Sequence, residues 1–246
     1  HIGNTGVGRG AGDSITTGGD NTSIGEDALT ANTTGDSNVA IGYRSLDANT
    51  TASNNTAVGK DALGANTTGA NNTAVGGFTL DANTTADNNT AIGYQALTVN
   101  TTGTRNVALG VVTLDANTTG NYNTALGSYA LSSNTTASNN VAVGDNSLYD
   151  NTTGGENVAV GMNALGNNTT ASNNSAVGYY ALLTNTTGTR NTSVGRSSLA
   201  ANTTGSHQTA LGFGALANSQ TANENTAVGY EALNANTTGS RNVGVG

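Results

Sequence analysis

The chain alternates short apolar runs with polar bends on one fixed spacing. A branched aliphatic residue followed by glycine, as in Val7-Gly8, Ile24-Gly25 and Ile41-Gly42, returns every 17 residues through Val245-Gly246 without insertion or deletion. Numbering each unit from the Asn that opens the motif gives the consensus N-[T/V]-A-[V/I/L]-G-x-x-[A/S]-L-x-x-N-T-T-[G/A]-x-x. Position 4 is Val, Ile or Leu in all fifteen copies, and position 9 is Leu in thirteen of fourteen, with Gly12 the exception. Position 14 is Thr in all fourteen, while position 12 is Asn in twelve and departs at Ile15 and Ser219. A fixed short period stacks each unit on its neighbours in one dimension. Residues 1–246 therefore read as a single continuous repeat segment, and as a fragment of a longer chain because both ends fall inside the pattern.

Seventeen residues rich in Gly, Thr and Asn make poor helix. Short apolar segments bounded by Gly and Asn read better as strands, so the expected class is all-β: a repetitive β-solenoid with one 17-residue coil per repeat and about 14 coils. Val at position 4 and Leu at position 9 are expected to meet inside from opposite walls. That core runs through Val58, Leu63, Val75, Leu80, Ile92, Leu97, Leu109, Leu114, Leu126, Leu131, Val143 and Leu148. Coils stacked about 4.8 Å apart give a rod of roughly 67 Å. Asn at positions 1 and 12 is expected to form amide ladders, and Thr at position 14 a β-branched ladder.

Charge sharpens the picture. All 22 acidic and basic residues occupy positions 6, 7, 10, 11, 16 or 17, and none falls elsewhere. Burying an unpaired charge is costly, so the remaining positions are expected to form the interior or the stacked walls. The formal charge is −8, and the seven basic residues form no cluster, which argues against nucleic acid as a partner. No run of about 18 apolar residues offers insertion into a membrane. Above the 17-residue period lies a second one of 85 residues: Thr102–Asn106 repeats as Thr187–Asn191, which reads as tandem duplication.

Candidate chemistry is sparse. The histidines are His1 and His207, there is no Cys, and no Ser–His–acid set recurs, so no catalytic residue, metal ligand or cofactor is expected. No position holds Asp in phase, unlike the calcium-binding β-roll repeat. Twelve units carry N-T-T, formally a glycan acceptor: Asn32, Asn49, Asn66, Asn83, Asn100, Asn117, Asn134, Asn151, Asn168, Asn185, Asn202 and Asn236. The same residues suit an internal ladder, which would deny the amide to a glycan. Eight of ten aromatics lie at positions 6 or 7, either as a platform for sugars or as corner packing. Asn at 12 and Thr at 14 share strand parity, so a flat N-x-T array and ice binding form a rival reading.

The string Asn225–Gly239, N-T-A-V-G-Y-E-A-L-N-A-N-T-T-G, resembles repeats of bacteriophage tail fibres and large bacterial surface proteins. The N-[T/V]-A-[V/I]-G segment is similar, over five residues per coil, to head repeats of trimeric autotransporter adhesins. These resemblances imply an extracellular, non-enzymatic fibre shaft and a homotrimer. The expected partners are the chain itself, by trimer or end-to-end filament, and cell-surface glycans or receptors. The alternative is a single-chain ice-binding or matrix filament.

Overall fold

The computed structural model describes residues 3–246. Every unit contributes one three-residue strand at positions 2–4, from β1 (Thr5–Val7) to β15 (Val243–Val245), and among the described residues there is no helix. The chain is an all-β solenoid with one coil of 17 residues per repeat. It divides into two compact units, His1–Tyr122 with seven strands and Asn123–Gly246 with eight. Within each unit successive strands pair parallel at a 17-residue offset, so that Ala57 lies beside Ala74 and Ala159 beside Ala176.

Side chains alternate across even so short a strand. At position 3 the residue points inward, and Ala40, Ala57, Ala74, Ala91 and their counterparts are fully buried. Ala, Ser and Gly are the only residues used there, because the strand backs directly onto the rest of its own coil. Leu at position 9 fills that space. Leu63, Leu80, Leu97, Leu114, Leu131 and Leu148 are all fully buried, as the sequence leads one to expect.

Position 4 departs from expectation. Val58, Val75, Leu126 and Val143 are half-buried, and Ile92 and Leu109 are exposed. They share parity with position 2, and both point out of the coil. The one residue between positions 2 and 4 is Ala, Ser or Gly, so the inward side of the strand belongs to the smaller residue. Leu at position 9 likewise comes from no second strand. It sits in a turn with φ near +50°, as at Leu46 (φ 50) and Leu148 (φ 51). A left-handed residue costs roughly 1–2 kcal/mol, which burial of a leucine offsets at about 1.5–3 kcal/mol.

The interior is half amide. At position 12, Asn Nδ2 donates to Oδ1 of the Asn one coil earlier, as in Asn49 to Asn32 (2.9 Å) and Asn168 to Asn151 (2.8 Å), except at Asn32 and Asn236, which follow Ile15 and Ser219. The same Nδ2 closes a local turn on a carbonyl three residues ahead, as in Asn168 to Ala171 (3.0 Å). Position 1 ladders differently. There Oδ1 accepts the backbone N–H of the next coil's Asn (Asn174 to Asn157, 3.0 Å), and Nδ2 reaches the carbonyl at position 15 (Asn174 to Gly188, 2.9 Å). Among the described residues no buried side-chain nitrogen or oxygen lacks a partner.

The hydroxyl ladder belongs to position 13 rather than 14: Thr33 Oγ1 donates to the Thr50 carbonyl and Thr152 Oγ1 to that of Thr169. Thr at position 14 lies in a bend outside any strand.

Two coils depart from the consensus at inward positions, and the second departure is compensated inside the coil. Gly12 leaves the leucine site empty, and Ile15 Cδ1 stands 3.1 Å from where a Cβ on Gly12 would be. In the coil of Gln208 the ladder Asn is replaced by Ser219. Gln208 is one methylene longer than the usual Asn and crosses the interior: its Nε2 donates to Asn202 Oδ1 (2.9 Å) and its Oε1 accepts from Ser219 Oγ (2.9 Å). Gln208→Asn alone therefore strands two buried groups and is expected to cost about 1–3 kcal/mol. Adding Ser219→Asn restores the consensus pair and most of the loss. A double-mutant cycle on guanidinium unfolding measures this, and additive losses would contradict the coupling.

Candidate functional site: outward columns of the coil

With positions 1, 3, 8, 9, 12 and 15 turned inward, each coil presents the same few outward columns. The sequence places all charge on them and none inside, and the structure keeps that division. Position 4 makes an exposed aliphatic column, with Ile24, Ile41, Ile92 and Leu109 in the first unit and Val177, Val194, Leu211 and Val228 in the second. No unit carries a charge between positions 1 and 5.

The twelve candidate glycan acceptors fall mostly on the wrong side of the wall. Eleven, Asn32 through Asn202 in the series, have no exposed surface, and their Nδ2 atoms are committed to the ladder and the local turn. Asn236 is half-buried, with Nδ2 on the Gly239 carbonyl. The burial also removes Asn from the flat N-x-T array. What remains outside is a single file of position-14 threonines, such as Thr34, Thr51, Thr68 and Thr85, all exposed.

The aromatic column at positions 6 and 7 is built on itself. Phe213 stacks on Tyr230 at 5.3 Å and 7°. The Arg196 guanidinium lies between Tyr179 and Phe213, 5.5 and 5.7 Å from their ring centres. A hydrogen bond with Tyr180, more than burial, raises the Tyr179 hydroxyl above its ordinary pKa. These rings pack on one another and on a cation, with Tyr230 still 69% exposed. This is corner packing, which also widens the apolar column beside it.

One hollow gathers carboxylates. Gly64, at a position where neighbouring coils carry Asp47 and Asp81, opens a space of about 440 Å³ also lined by Arg44 and Asp61. Burial, then the charges of Asp61 and Asp47, raise the Asp81 carboxyl above its usual range. Arg44 Nε bonds Asp47 at 2.9 Å, which raises the guanidinium's own pKa. Among the described residues no three His, Cys, Asp or Glu side chains are grouped to hold a metal ion. No helix of the described residues is long and apolar enough to cross a membrane. In comparison with known proteins, no family model matches the chain and no curated protein matches it significantly.

Proposed function

We propose that this chain is the non-enzymatic shaft of an extracellular fibre or adhesin, on a virion or a cell surface. It holds a binding tip away from the particle and associates with further copies of itself. The observation that carries the reading is where the chain tolerates change. Inward positions draw on a few small or closely similar residues, while charged, aromatic and otherwise dissimilar residues replace one another at the outward corners, positions 6, 7, 10, 11, 16 and 17. A chain selected for a single site keeps one constellation constant. Here the constant thing is the coil itself, which suits a part whose job is reach.

The likeness of Asn225–Gly239 to tail-fibre and surface-protein repeats supports the same reading. Varied corners suit weak, multivalent contact with cell-surface glycans or receptors. Immunogold labelling of intact particles from the source tests it. Label along projecting fibres is expected, and label confined to disrupted cells would sink the proposal.

A second reading keeps the single-chain filament that binds ice, favoured by one observation. Position 14 is Thr in fourteen of fourteen coils, whereas half-exposed position 2 interchanges Thr, Val and Ser. Faceted ice crystals at micromolar protein would favour this reading, and round crystals would remove it.

A further inference from the structure

The residues the sequence most insists on keeping apolar are residues a single chain leaves in water. Position 4 is branched aliphatic in all fifteen copies, yet Val177, Val194, Leu211 and Val228 are each 36% to 40% exposed. Scattered exposed apolar residues are ordinary, but four of them in line on successive coils mark an interaction surface. Structural demand alone does not produce the column. Position 2 lies on the same strand face and admits hydroxyl side chains freely: Thr stands there in nine copies, Val in five and Ser in one. At position 4 no Thr or Ser occurs in fifteen. A contact that covers position 4 more fully than position 2 would leave this difference.

We propose that this outward column is the seam along which a second copy of the same chain packs, coil against coil. The inference deepens the shaft reading, on which it rests for the partner being another copy.

Three features favour a copy of the chain over any other partner. The first is period. Two columns with one knob per coil, about 4.8 Å apart, mesh along their whole length, and a partner with a different repeat loses register within a few coils.

The second is charge. The chain is strongly acidic, so copies repel one another over most of their surface. The column carries no charge. Beside it, position 6 holds three cations (Arg9, Lys60, Arg196) against two anions (Glu26, Asp145), whereas the other corners together hold four cations against thirteen anions. This is the face on which like molecules repel least.

The third is area. Val177, Val194, Leu211 and Val228 with the flanking Tyr179 and Phe213 expose apolar surface on the order of 300 Å² over four coils. A stable interface takes roughly 800 Å² from each partner. At that rate seven or eight coils of one unit offer at most roughly 500–600 Å² of apolar surface, and position 2 beside the column adds further contact area toward that scale.

The chain has no cysteine, so single thiols report the seam directly. In Val194→Cys, mild oxidation is expected to join chains through identical residues, because a disulfide needs Cα atoms within about 7 Å. Asn173→Cys, on the outward corner at position 17, is expected to stay unlinked. By sedimentation equilibrium the wild-type chain is expected at a multiple of 24.2 kDa. Val177→Glu, Val194→Glu and Leu211→Glu together are expected to reduce it to one chain with an unchanged circular-dichroism spectrum, because all three point outward. A wild-type chain that sediments as a monomer overturns the seam, and with it the self-association of the shaft, while the shaft's location on a particle stands or falls by the immunogold label. An oligomer that links through Asn173→Cys rather than Val194→Cys overturns it too, by placing the contact on another face. Linking through Val194→Cys alongside absent immunogold label upholds the seam and sinks only the shaft's location.

Discussion

Leu148→Asp opens its coil to protease. Leu148 is fully buried, and its carbonyl accepts the backbone N–H of Asn151 (3.2 Å), the next ladder residue. A carboxylate at that site finds no cation: the charges all lie on outward corners, and the inward neighbours are Ala, Leu and Asn. The side chain either ionises in an apolar wall or stays protonated with its hydrogen bonds unmet. Either way the cost is on the order of 4–5 kcal/mol, above that of most single substitutions. Coils contact only their neighbours, so the damage stays local and appears as new cleavage close to residue 148. Leu148→Met keeps the volume and costs under about 1.5 kcal/mol. If Leu148→Asp resists protease as the wild type does, the inward assignment of position 9 is wrong.

Gly178→Ala is expected to be nearly as damaging for a different reason. Gly178 has φ +138, which L side chains rarely adopt. A Cβ there would stand 2.7 Å from both the carbonyl carbon and the oxygen of Gly195 in the next coil, and 3.1 Å from the Arg196 nitrogen. Those atoms are backbone and cannot rotate away. The Gly178 N–H also bonds the Val160 carbonyl at 2.8 Å, so the strand end is held from both sides. Backbone strain and overpacking together cost roughly 3–5 kcal/mol. Gly166→Ala is the control. Its φ is not in the left-handed region, its nearest obstacle is the flexible end of Leu183, and Ala200 and Ala217 fill the same position in later coils. Guanidinium unfolding is expected to separate the two alanines by at least about 2 kcal/mol, and equal effects would refute the stacked-glycine wall.

These two sites also mark how far the sequence could be read. The period, the single coil per repeat and the burial of Leu at position 9 are legible, because a fixed spacing and a complete absence of charge need no knowledge of side-chain direction. The direction of position 4 is not. Hydrophobicity says inward, and a three-residue strand offers too short an alternation to correct it. The signal that does correct it is size. Position 3 admits only Ala, Ser and Gly, which is the mark of a crowded interior, and position 4 must then face away with position 2. Left-handed leucines such as Leu46 were beyond reach, since nothing in a leucine announces positive φ. The repeat puts Gln208 and Ser219 in one unit, but only the fold shows their side chains meeting across the interior. Among candidate sites, the sequence left the N-T-T series open between glycan acceptor and internal ladder, because the motif states what an enzyme recognises and not whether Asn168 is reachable.

A side-chain-resolution cryo-electron microscopy map of the native filament tests the account most directly. It predicts coils of 17 residues rising about 4.8 Å each, with leucine and the asparagine ladders inside every coil. The branched residues of position 4 are expected outside their own coil, against those of a second copy. A map with position 4 folded inside its own coil, or with a lone chain whose aliphatic column faces solvent, would contradict it.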